Sequence, residues 1–154
     1  MNYEELLQEA YDDGLYIIEN AIFESSADGL INNDVIGINA EIRSSNERAC
    51  ILAEELGHYY TSVGNILDQS ESSNRKQECR ARMWAYNKMI GLVGLIDCFE
   101  AGCRNRYEFA EHLGVTEEFL EQAVEAYRKR YGEFVQVGDY MIYFEPYYGV
   151  AKML

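Results

Sequence analysis

Positive charge is what this chain has least of. Its 154 residues carry 13 Lys and Arg against 27 Asp and Glu, a formal net charge of −14 at pH 7. Such a surface repels phosphate backbones, which argues against non-specific nucleic-acid binding. It leaves open the binding of a protein that itself binds DNA. Long apolar runs are missing too. The longest candidate, Met89 to Phe99, is too short to span a bilayer and carries Asp97. The first residues, Met1-Asn2-Tyr3-Glu4-Glu5, are acidic and have no apolar segment of the signal-peptide kind. No Cys-x-x-Cys occurs among the cysteines at 50, 79, 98 and 103, so a zinc ribbon or a thioredoxin-like motif is not expected. These absences predict a cytoplasmic protein with no membrane attachment and with reduced, mostly buried thiols. Proline occurs once, at Pro146, and there is no linker, repeat or low-complexity tract. With 48% hydrophobic residues the chain is not disordered, and we expect one domain over residues 1–154.

What is present centres on Cys50-Ile51-Leu52-Ala53-Glu54-Glu55-Leu56-Gly57-His58-Tyr59-Tyr60. Ala49, Leu52, Ala53, Leu56 and Tyr60 recur at helical spacing and form an apolar stripe. Glu54 and His58 are one turn apart, and Glu55 is three residues from His58. This is the frame of the zinc-peptidase motif His-Glu-x-x-His with Glu54 in place of the first His. In that motif the outer positions hold the metal and the Glu between them activates a water. Two ligands do not make a zinc site, so a third must come from elsewhere. Cys50 is two turns from His58, roughly 12 Å along the helix, and cannot serve. The only other histidine, His112, is far along the chain. Glu78 is the candidate, set among Arg75, Lys76, Arg80 and Arg82. That basic cluster could keep Glu78 ionised or bind substrate carboxylates. Spacing alone equally describes a solvated acidic helix face, with Tyr59 and Tyr60 as core or rim residues.

Around this stretch the pattern predicts a helix over Tyr3 to Tyr11, ended by Gly14, and short strands at Leu15 to Ile18 and Ala21 to Phe23. Leu30-Ile31 and Val35 to Asn39 complete a small antiparallel sheet. Asn33-Asp34 lacks EF-hand spacing and reads as a hairpin turn. Ser44 with Glu47 forms a capping-box signal for a helix from Ser45 to Thr61 or Ser62, closed by Gly64-Asn65. A loop over Ile66 to Ser73 follows. Asn74 is expected to cap a helix from Arg75 to Met89, and further helices are expected at Leu92 to Ala101, Arg106 to Leu113 and Glu117 to Tyr131. Phe134 to Val137 and Tyr140 to Phe144 flank Gly138-Asp139 as a β-hairpin. The segment Phe109 to Val124 imitates a helix-turn-helix, but Glu117, Glu118, Glu121 and Glu125 on its second helix would repel phosphate, so it reads as core packing. The fold class is α+β.

Ala53 to Ser62 with Gly64-Asn65-Ile66, then Lys76 to Tyr86, Gly102 to Glu108 and Leu113 to Leu120, resemble successive blocks of the ImmA/IrrE family of metallo-endopeptidases. The likeness is to the branch found in phages and integrative elements of Gram-positive bacteria. The resemblance implies a zincin-like domain whose second helix supplies a Glu ligand, and site-specific cleavage of a helix-turn-helix repressor. Carried over, His58 is a metal ligand and Glu55 the general base. Glu54 departs from the family's first His, and Arg80 stands where the family commonly has a Glu, with Glu78 two residues earlier. A Glu54, His58, Glu78 site would be rich in oxygen and anionic, suited to zinc, to another divalent cation or to none. Tyr59 or Tyr60 would support the transition state. The other reading is a catalytically degenerate member that regulates by binding protein.

Overall fold

Asn2 opens the first helix. Its side chain accepts from the Glu5 N–H at 2.9 Å while Glu5 reaches back to the Asn2 N–H, a complete capping box. Helix α1 (Tyr3–Asp12) buries Tyr3, Leu6, Leu7 and Ala10. The computed structural model describes residues 1–23, 27–61, 71–145 and 148–153, with the backbone alone at 71–73. The expected closure at Gly64-Asn65 and the loop through Ser70 lie outside those residues. The chain divides into two compact units, Met1–Ala85 and Tyr86–Leu154.

In the first unit β1 (Tyr16–Ala21), β2 (Gly29–Asn32) and β3 (Val35–Asn39) form a sheet in the order β1-β3-β2. β2 and β3 make an antiparallel hairpin, Asn32 opposite Val35. β1 runs parallel to β3, Ile17 beside Ile36, so the sheet is mixed and not purely antiparallel as expected. Alternation of side chains sets a strand's faces but carries no direction. The two strands expected at 15–18 and 21–23 are one: an irregularity between Ile18 and Ala21 absorbs the polar Glu19-Asn20 pair, and the strand ends before Ile22. Ile17, Ile36 and Ile38 are buried on the inner face.

Two longer helices follow, the second ending four residues past Ala85. In α2 (Ser45–Thr61) the Ser44 hydroxyl accepts from the Glu47 N–H at 3.4 Å. Arg48, in the first turn, fastens the helix to its neighbours. Its guanidinium donates to the carbonyls of Ile42 and Glu19 and lies 5.5 Å from the centre of the Tyr3 ring. The Tyr3 hydroxyl donates to Glu19 at 2.7 Å; burial, then that carboxylate, pushes its pKa up to about 12. Helix α3 (Glu71–Met89) begins four residues before the expected Arg75, so Asn74 is inside the helix and not its cap. Neither Gly nor Pro interrupts 71–74, and the polar residues there only weakly oppose helix.

In the second unit, α4 (Gly91–Glu100) follows a break at Ile90, with Gly91 at φ +65°. The fully buried Tyr127 fixes that break: its hydroxyl accepts from the Gly91 N–H at 3.2 Å and donates to Asn87 at 3.0 Å. Helices α5 (Arg106–Leu113) and α6 (Glu117–Tyr131) meet through Gly114 in the left-handed conformation. Phe109, Leu113, Val115, Phe119, Leu120 and Ala123 are all buried, so the helix-turn-helix look-alike is a packed pair. The expected C-terminal hairpin, β4 (Phe134–Val137) and β5 (Tyr140–Tyr143), is joined by a third strand, β6 (Gly149–Lys152), in a β4-β5-β6 meander. Four residues containing Gly and Lys give little periodic signal. The protein is α+β throughout, and among the described residues no helix is long and apolar enough to cross a membrane. Cys50 and Cys98 are buried as expected, whereas Cys79 is exposed and Cys103 partly so.

Candidate active site

Gly57 sets the geometry. A Cβ added there would stand 2.2 Å from the backbone oxygen of Ala81, so only glycine lets α2 and α3 touch at this point. Glu78 lies one turn before Ala81 and His58 follows Gly57. The contact therefore brings Oε2 of Glu78 to 3.3 Å from Nε2 of His58. Arg82, one turn further along, donates to Oε1 of Glu78 at 3.1 Å. Arg80, 200° around the helix from Glu78, is exposed. Glu78, and not the residue at position 80, is the carboxylate that meets the motif histidine.

Glu55 sits under β2. A Cβ at Gly29 would lie 2.7 Å from Ile51 Cγ2, 3.1 Å from Glu55 Cγ and 3.2 Å from Glu55 Oε1. The strand backbone therefore closes over this carboxylate. Burial first, and then the charges of Glu54 and Glu78, raise the Glu55 pKa to about 7. Gly29 and Gly57 are the contributors that the sequence reading missed. Asp28-Gly29 looks like turn punctuation, and Gly57 looks like a variable position of the motif; only a close backbone approach reveals either.

The two tyrosines face elsewhere. Tyr59 donates to Asp34 at 3.3 Å, and Tyr60 donates to Asp13 and stacks on Trp84 with ring centres 5.1 Å apart. Asp34 raises the Tyr59 pKa; burial and then Asp13 raise that of Tyr60. Their hydroxyls tie the end of α2 to the β2–β3 turn and to the end of α1.

Of the expected ligand set, His58 and Glu78 come together. Among the described residues no group of three or more His, Cys, Asp and Glu side chains could hold a metal ion, so Glu54 does not complete such a group. The donor set among the described residues does not fit zinc, which needs at least three protein ligands. Elsewhere, His112 is in the last turn of α5.

No curated protein and no solved structure matches the chain. The family model of the IrrE N-terminal-like domain, a peptidase family, matches residues 12–125 and so takes in both helices that bear the site. With His58, Glu55 and Glu78 drawn to one crossing of α2 and α3, and that match covering most of the sequence, the chain belongs to the ImmA/IrrE peptidase family.

Proposed function

We propose that this chain is an endopeptidase that acts on a helix-turn-helix repressor of a phage or mobile element in the bacterial cytoplasm, with Glu55 moving the proton. The observation that supports this is the shielded Glu55, whose pKa of about 7 leaves it divided between its two protonation states near neutrality. As carboxylate it takes a proton from a water molecule while the water oxygen bonds to the peptide carbonyl carbon. As carboxylic acid it returns that proton to the amide nitrogen as the C–N bond breaks. Glu78 orients His58 beside it. The family is generally metal-dependent, whereas the donors among the described residues stop at a pair.

A second reading has its own observation. Glu54 replaces the first His of the motif and the described residues offer no three-donor group. Both favour a member that binds its repressor without cutting it. One experiment separates the two. The divalent-metal content of the purified protein is measured beside that of Glu54→Ala, His58→Ala and Glu78→Ala, and a helix-turn-helix repressor from the same genome is incubated with wild type and with Glu55→Gln. Fragments released by wild type and reduced about 100-fold or more in Glu55→Gln support the endopeptidase. A metal-free protein that binds the repressor and leaves it intact supports the second reading.

A further inference from the structure

The sheet of the first unit carries apolar side chains on both faces, with Asn32 a polar member of the outer one. Tyr16 lies beside Val35, Ile18 beside Gly37, and Gly37 beside Leu30, so these residues share the face opposite Ile17, Ile36 and Ile38. On that outer face Tyr16 is 63% exposed, Leu30 51%, Ile18 42% and Val35 37%. The Phe23 ring lies across its middle, 3.3 Å from where a Gly37 Cβ would be. A sheet with one wetted face ordinarily alternates apolar and polar residues. A contiguous exposed apolar patch marks an interaction site.

Charge identifies the occupant. The first 42 residues contain ten Asp and Glu and no Lys, Arg or His, the first basic side chain being Arg43. Asp28 and Asp34, at the ends of the hairpin strands, are exposed. A second copy would bring the same acidic surface against itself across a two-fold axis, and nucleic acid would be repelled. A basic polypeptide presenting apolar side chains fits. A DNA-binding protein is basic because it must neutralise phosphates.

We propose that the outer face formed by Tyr16, Ile18, Leu30 and Val35 is a docking surface for a basic DNA-binding protein. That this partner is the repressor rests on the function proposed above; its charge and apolar contact do not. Gly29 places Glu55 against the opposite face of the sheet, with edge strand β2 between them. Docking and proton transfer are therefore separable by mutation.

The test measures binding by calorimetry at low and raised salt, using Glu55→Gln protein so that nothing is cut. The probe is a full-length helix-turn-helix repressor from the same genome. The triple variant Tyr16→Ser, Ile18→Thr, Leu30→Thr should bind about tenfold weaker or worse. The single variant Ile18→Lys, at a position 42% exposed, should weaken binding several-fold, and wild-type affinity should fall with salt. Circular dichroism and a thermal melt establish that each variant is folded; if the triple variant is not, Ile18→Lys decides alone. Unchanged affinity in the folded variants overturns the proposal. So does self-association that these substitutions abolish, or polylysine that binds as tightly as the repressor. In parallel, the same substitutions with Glu55 restored are assayed for cleavage. Cleavage at the wild-type rate removes the docking surface and leaves the peptidase standing. Docking without any cleavage does the reverse.

Discussion

Carboxylates are treated in opposite ways at the Glu55 site and in the second unit. In Tyr86–Leu154 they are matched with arginines: Arg104 with Glu108 at 3.2 Å, Arg106 with Glu117 and Glu121 at 3.2 and 3.1 Å, and Arg128 with Glu125 and Glu145 at 2.5 and 2.9 Å. Hydrogen bonds from Arg104 and Arg128 hold Glu108 and Glu125 below the usual carboxylate range. In Met1–Ala85, Glu55 is half-buried, and the charges acting on it are those of other carboxylates, Glu54 and Glu78. Asp13 and Asp34 accept from tyrosine hydroxyls, as Glu100 does in the other unit. Ion pairing makes an ordinary solvated surface. Crowding acids under a strand makes a group that titrates near neutrality, at a cost in stability, and that is where proton chemistry can occur.

The contrast can be broken most severely at the helix crossing. Gly57→Ala forces α2 and α3 apart, because the backbone oxygen of Ala81 cannot yield as a side chain would. A loss of about 3 kcal/mol or more is expected, read as a fall in the thermal midpoint of about 6–12 °C.

Next comes Glu55→Gln, which should stabilise. Glu55 ionises near 7 when folded and near 4.5 when unfolded, so the folded state holds its proton more tightly. Stability from this residue is full below pH 4.5 and is lost as pH rises through 7. The variant should therefore exceed wild type by about 1–2 kcal/mol at high pH, allowing for partial exposure, and the gap should close in acid. Midpoints measured across that range check both sign and window.

Tyr60→Phe removes the hydroxyl held by Asp13 and keeps the ring on Trp84. About 1 kcal/mol is expected to be lost, in urea titrations at neutral pH. Smallest is Arg106→Gln, in the other unit. Its two partners are exposed, so the loss should be the smallest effect of the four and should shrink as salt is added. A loss at Arg106 as large as that at Gly57 would remove the distinction between the units.

Local chemistry made much of this legible in the chain. Ser44 and Glu47 announced α2, Gly114 and Thr116 announced the turn between α5 and α6, and Gly138-Asp139 announced a hairpin. The pairing of His58 with Glu78 follows from helical phase once α2 and α3 are placed side by side. What stayed hidden depends on distant backbone. The parallel pairing of β1 with β3, the third strand Gly149–Lys152 and the closure of Gly29 over Glu55 have no signature at short range. The same holds for the tyrosines. Adjacency to His58 suggested a part in the reaction, but their hydroxyls reach Asp34 and Asp13, two segments that only the fold brings near.

The order β1-β3-β2 also bears on how this unit assembles. Its hairpin needs only neighbouring residues and can close within microseconds, whereas β1 must wait for that hairpin before it has an edge to join. Nucleation should therefore begin at Asn33-Asp34, with β1 and α1 added late. Truncating Ile17 should then mainly hasten unfolding, while truncating Ile36 should slow folding as well.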